Sequence, residues 1–108
     1  MNQQDQLEQY LNQRVVLDTQ GPLVIIGTLE AIDERGLWLR DADVHDRSDG
    51  HATKEEYVGI AHQLERDGVR NINRKRVFVE RGPIVCISAL RDVVVDGEQE
   101  EDEGVDAT

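Results

Sequence analysis

The 108-residue chain has one cysteine, Cys86, two prolines and four aromatic residues, Tyr10, Trp38, Tyr57 and Phe78. A single thiol excludes an internal disulfide and fits a reducing compartment. Its place inside an apolar strand pattern predicts a buried structural thiol rather than a nucleophile. With aromatics scarce, the apolar content falls to Val, Ile and Leu, which favours strands over a helical bundle. No apolar run approaches the roughly 20 residues that a membrane-spanning helix needs. The opening MNQQDQ lacks the basic and apolar regions of a secretion signal, so the expectation is a cytoplasmic protein without membrane contact. At this length there is room for one small domain and none for a large internal cleft. Catalytic patterns are missing too. Neither a Ser-His-Asp set nor a phosphate-cradling glycine loop can be assembled, so a non-enzyme without a cofactor is expected.

What is abundant is acid. The formal net charge is −11, but seven acids and no base lie between Asp96 and Thr108, so the other 95 residues carry 16 acids against 12 bases. The tail DGEQEEDEGVDAT has one apolar residue larger than alanine and cannot offset its ordering entropy by burial. Residues 96–108 are therefore expected to be a disordered acidic tail, serving solubility or folding back over a basic surface. Residues 1–95 form the domain.

Within the domain the apolar period changes in an orderly way. Leu7, Tyr10 and Leu11 recur at helical spacing and predict a short leading helix over Gln3–Leu11 that caps a barrel end. Arg14 to Thr19 reads as a first strand, ended by a turn at Gln20, Gly21 and Pro22. A long second strand runs from Leu23 to Asp33 with a bend at Gly27, and small barrels need such a bend to close. Glu34, Arg35 and Gly36 turn the chain, and Leu37 to Arg40 start a third strand continuing toward Val44. Residues 44–75 read as an inserted loop and helix. Thr53 and Glu56 form a capping box for a helix from Lys54 to about Arg66, with Gly68 placed to stop it. Tyr57, Ile60, Ala61 and Leu64 share its apolar face, which packs on the chain's own barrel or docks a protein partner.

Several polar clusters have two readings. In RNINRKR, Arg70, Arg74, Lys75 and Arg76 give four cations in seven residues. They form either a secondary phosphate-binding face or a solvated one paired with Glu65, Asp67 and Glu80. Asp41, Asp43 and His45 alternate along a strand and converge on a metal only if Asp46, Asp49 or His51 joins them. No ligand spacing there is diagnostic, so a hydrated loop without metal is the preferred reading. His62, on the inserted helix, is expected to be exposed.

The remaining stretch is VFVERGPIVCISAL, Val77 to Leu90: two short apolar strands hinged on Arg-Gly-Pro. Glycine tolerates backbone angles closed to other residues and proline fixes the next, so the chain reverses and leaves Arg81 at the rim. A guanidinium on a rigid turn suits a phosphate or a base edge. Five strands, a leading helix and a bent second strand describe a small antiparallel barrel.

Two of these stretches together resemble the signatures of the Sm and Sm-like proteins. In IIGTLEAIDERGLWLRDAD, the residues Gly27, Leu29, Ile32, Asp33 and Leu39 occupy the positions of the first signature. In VFVERGPIVCI, Arg81 and Gly82 match the core of the second. The resemblance implies an SH3-like, strongly bent five-stranded barrel with an N-terminal helix and a helix inserted between strands 3 and 4. It also implies assembly into a hexameric or heptameric ring, the fourth strand of one subunit pairing with the fifth of the next. Val77, Phe78, Val79, Val85, Cys86 and Ile87 are the expected interface, since apolar sheet edges otherwise stay exposed.

In that family single-stranded, uridine-rich RNA threads the pore, held by the second-signature arginine and read by an asparagine in the first turn. Arg81 and Gly82 carry over, with Arg35 as a second cation. The asparagine does not: Gly36 stands near its place, and Pro83 follows Arg81–Gly82. Two expectations follow. One is a ring that binds single-stranded RNA with weak base specificity through Arg81, Gly82, Arg35 and Gly36. The other is an Sm-like scaffold that has lost RNA binding and docks proteins through the inserted helix.

Overall fold

Val15, Val16 and Leu17 are adjacent in sequence and all buried, as are Val24, Ile25 and Ile26. Apolar runs without alternation form strands where both faces of a sheet are covered, and that is the arrangement here. The computed structural model describes residues 3–47 and 53–94. Its elements run α1 (Gln3–Glu8), β1 (Arg14–Thr19), β2 (Leu23–Ile32), β3 (Gly36–Asp46), α2 (Lys54–Arg66), β4 (Arg74–Glu80) and β5 (Ile84–Ala89), ending in a 3-10 turn at Leu90–Asp92. The five strands form one antiparallel sheet in the order β4-β3-β2-β1-β5. The expected acidic tail, 96–108, lies outside the described residues. None of the described helices is long and apolar enough to cross a membrane.

The sheet curls on itself. Val15, Leu17, Ile25, Leu29, Leu37, Leu39 and Val79 form one buried cluster, and Ile84 and Ile87 pack against it. The two outermost strands thus share one interior. Leu7, Tyr10 and Leu11 close its end. The helix itself stops at Glu8, and Tyr10 and Leu11 follow in turns whose amides donate to Leu7 and Glu8 carbonyls at 2.9 and 3.1 Å.

On the outer face, Val16, Val24 and Ile26 meet Ala61, Leu90, Tyr57, Val58 and Val93. The inserted helix therefore covers its own barrel. Thr53 accepts from the Glu56 amide at 3.1 Å, while the Glu56 carboxylate takes the Thr53 hydroxyl rather than an amide. Gly68, at φ +85°, stops the helix, with amides 68 and 69 donating to the carbonyls of Glu65 and Leu64. The helix is rotated from its expected setting: Tyr57, Val58, Ala61 and His62 turn inward, while Ile60 is 55% exposed. His62, expected outside, is buried. The cause is Glu65, drawn down by Arg14, whose Nη2 and Nε donate to its carboxylate at 2.6 and 3.0 Å. Both side chains are nearly buried. Tyr57 reinforces the setting by donating its hydroxyl to Asp43. Burial, then that bond, raises the phenol's pKa, so it stays a donor.

The bend expected at Gly27 is present, with its extra residue on the opposite strand. Ile26 pairs with Asp43 and Thr28 with Arg40, so one β2 residue faces two of β3. Asp41 takes the strain at φ 50°, and its carbonyl accepts from Arg14 Nη1 at 2.6 Å. A bulge of this kind increases local twist and bends the strand. Elsewhere strand limits moved. β3 runs to Asp46 and β4 begins at Arg74, so the insertion spans 47–73 rather than 44–75, and Arg74 to Arg76 belong to a strand.

Cys86 is exposed, against expectation. The register shifts between Asp18 and Thr19, which face Cys86 and Ile84. Ile84 and Ile87 take the interior places, and the irregularity turns Val85 and Cys86 outward. Partial desolvation and the Asp18 carboxylate, 3.5 Å from Sγ, push the thiol's pKa up.

Candidate nucleic-acid interface

Because β3 pairs with β4, with Gly36 opposite Glu80 and Leu37 opposite Val79, the turn before β3 lies against the turn after β4. The two are sewn together. The Arg81 amide donates to the Arg35 carbonyl at 2.9 Å. Arg81 Nε and Nη2 both donate to the Asp33 carbonyl, at 3.1 and 2.8 Å. The first turn is closed by Asp33, whose Oδ1 accepts from the Arg35 amide at 2.9 Å and whose own amide donates to the Gly36 carbonyl. Arg81 and Arg35, predicted together from separate stretches, thus occupy one loop cluster.

Their surroundings differ. Arg81 is half-buried beside an open hollow of about 470 Å³ that Leu7, Tyr10, Leu37, Ile84 and Ile87 also line. It has no carboxylate partner among the described residues. Arg35 is 79% exposed and reaches Glu80 at 3.2 Å. Asp33, Glu34 and Glu80 put three carboxylates beside the two guanidinium groups, which lowers the local potential for a polyanion.

The two glycines differ as well. Gly36 is buried, and a Cβ there would lie 2.3 Å from the Val79 carbonyl oxygen. It is absent of side chain because β4 crosses so closely, and it offers a ligand no side-chain group. At Gly82 a Cβ would meet nothing within 4 Å, and its φ is not positive. The expectation that Gly82 supplies forbidden backbone angles is corrected: the reversal is made without them.

The basic run is largely committed. Arg70 lies 3.8 Å from Glu65 and 3.9 Å from Asp41. Arg76 donates to Glu30 at 2.6 Å and stacks over the Trp38 ring at 4.1 Å, and Trp38 meets Phe78 at 4.9 Å. Arg74 donates to the neighbouring Asn73 carbonyl. Lys75 has no ion-pair partner among the described residues. Of Glu65, Asp67 and Glu80, the acids expected to pair with this run, Glu65 meets Arg70 while Glu80 pairs with Arg35 instead; Asp41, Glu30 and Trp38, on other strands, were not expected as partners. The signal was parity: Trp38 alternates with the interior Leu37 and Leu39, so it faces out beside β4.

Of the expected interface residues, Val79 is buried and Val77 and Ile87 pack on the same interior, Phe78 lies outside against Trp38, and Val85 and Cys86 are exposed. The acids considered for a metal are separately engaged. Asp41 faces Arg70, Asp43 accepts from Tyr57, and His45 stacks on the Tyr57 ring at 4.1 Å. No metal-ligand group forms among the described residues, and Asp49 and His51 lie outside them.

No family model and no curated protein matches the chain. Solved structures do. An Sm protein from Pyrococcus abyssii, in complex with a uridine heptamer, superposes with a TM-score of 0.53 at 14% identity, covering 82% of this chain and 99% of that one. The SmAP1 heptamer from P. aerophilum superposes at 0.50 and 16% identity, covering 82% and 93%. At such identity the likeness concerns the backbone. The chain therefore has the Sm-like fold and carries α2 between its third and fourth strands.

Proposed function

We propose that copies of this chain assemble edge to edge, β4 of one on β5 of the next, into a hexameric or heptameric ring. The paired turns then line its opening and bind single-stranded RNA with little base preference. One observation carries the reading: β4 and β5 are the outer strands of the curled sheet, and the turn joining them holds Arg81 against the Arg35 turn. An edge strand with free amides and carbonyls is a template for a neighbouring strand. Closure of a repeated head-to-tail contact makes a ring. The Asp33 carbonyl fixes the Arg81 guanidinium as a planar cation on which a base stacks or a phosphate rests. Gly36 and Pro83 present no side-chain amide to a base edge, hence the weak preference.

Fluorescence anisotropy of oligo-uridine and oligo-adenosine at low salt tests this. Comparable binding of the two, falling steeply with salt and weakened by Arg35→Ala, is expected. Tenfold selectivity for uridine, or no binding, ends it. A second reading has its own observation, the excess of Asp33, Glu34 and Glu80 over Arg35 and Arg81. It is an RNA-free scaffold ring that docks proteins through the side of α2 bearing exposed Ile60. The ratio of absorbance at 260 and 280 nm in the purified assembly separates the two.

A further inference from the structure

Two arginines stand directly opposite each other in the sheet, Arg40 of β3 and Arg76 of β4. Like charges so placed repel, and the fold keeps them at a cost in stability. They point away from the interior, because Leu39 and Val77, their neighbours along the two strands, pack inward. Beside them lies the other outward pair of the same strands, Trp38 and Phe78, both half-buried, with ring centres 4.9 Å apart. Arg76 lies over the Trp38 ring at 4.1 Å, and Glu30 accepts from its Nε at 2.6 Å. Arg40 has no carboxylate partner among the described residues, so one acid meets two guanidinium groups. Exposed Arg74 and Lys75 add two more cations where β4 begins. This is a local excess of positive charge in a domain of 16 acids against 12 bases. At the other end of β4, Glu80 faces Gly36 and the Arg35 turn. The patch therefore continues the paired turns along the outer side of β3 and β4.

We propose that this face is a second contact for single-stranded RNA, which leaves the Arg35 and Arg81 turns and runs along β4 toward Arg74. The choice of RNA as the bound strand rests on the function proposed above. A base needs a flat partner and a phosphate needs a cation, and the patch sets the two side by side. Glu30 fixes the Arg76 guanidinium against the indole, and with that side chain 54% exposed its outer side is a flat cation for a base. Arg40, not neutralised by an acid, meets a phosphate. The length of β4, roughly 20 Å at the usual rise per residue, makes the contact a track rather than a point. Edge pairing takes the backbone groups of β4, whereas this patch lies on the face of the sheet. An acidic protein segment would satisfy the cations but leave the aromatic pair unused.

Trp38 is the chain's one tryptophan, so its emission reports on this face. Oligo-adenosine is titrated into the full-length chain at low salt, with the anisotropy of a labelled end followed alongside. Saturable quenching of Trp38 is expected, its midpoint raised about fivefold by Arg40→Gln. The same substitution should leave the urea midpoint unchanged or higher, since it removes a repulsion. A fall in that midpoint would make Arg40 a packing residue and overturn its role. Unchanged emission while anisotropy reports binding confines RNA to the turns and overturns the proposal. So does a quenching midpoint unmoved in Arg40→Gln, or an oligo-glutamate peptide that quenches as strongly, which would give the face to an acidic protein. The turn reading fails differently: quenching that keeps its wild-type midpoint in Arg35→Ala upholds this face and removes the turns.

Discussion

The turn between β2 and β3 and the turn between β4 and β5 touch, each contains a glycine beside an arginine, and they are built on different terms. In the first, Gly36 is compulsory because the Val79 carbonyl passes where a side chain would stand. In the second, Gly82 has open space around it and an ordinary backbone. The first turn closes on its own Asp33 side chain. The second depends on its neighbour, through the bonds from Arg81 to the Asp33 carbonyl. One is held by packing and the other by a guanidinium. In the Arg-Gly pair, the arginine therefore does the structural work.

Substitutions sharpen or erase that contrast. Gly36→Ala forces β3 away from β4 and is expected to lower the free energy of unfolding by about 3 kcal/mol. Urea denaturation with an unchanged midpoint would put the two glycines on equal terms. Next comes Arg81→Ala, which frees the second turn from the first at a cost of about 1–2 kcal/mol in the same assay, hydrogen bonds to a charged donor being lost. Arg81→Lys, with no planar fork, should recover less than half of it. Arg35→Ala removes an exposed ion pair and should shift stability by less than about 0.5 kcal/mol while weakening RNA binding. Smallest of all, Gly82→Ala is expected to be neutral or to stabilise by up to about 0.5 kcal/mol, since it stiffens the unfolded chain without strain.

Much of this was legible in the residues. The first strand and the inserted helix fall where periodicity and the Thr53–Glu56 pair place them, because local signals decide such limits. That Arg35 and Arg81 lie in adjoining turns was legible as well, through the resemblance of two separate stretches to one pair of signatures. What escaped was set by contacts distant in sequence. Ile60 looks like core on a helical wheel, but Glu65 answers Arg14, 51 positions away, and the helix turns to suit. Cys86 looks like core by alternation, and an irregularity in register turns it out. RNINRKR looks like an open basic face, yet two of its arginines answer Glu30, Asp41 and Glu65. Charge counts within a window do not reveal partners on other strands.

The bulge at Asp41 has a consequence for the order of events in folding and opening. The backbone twist that bends β3 also aims the Asp41 carbonyl at Arg14, and the same guanidinium holds Glu65 of the inserted helix. Curvature of the barrel and seating of the insertion are thus one cooperative event, since neither half of the Arg14 bonding can be lost without exposing the other. Amide hydrogen exchange at α2 and at the bend should rise and fall together. An insertion that looks like a passenger on the surface would then be a stay that keeps the barrel's bend in place.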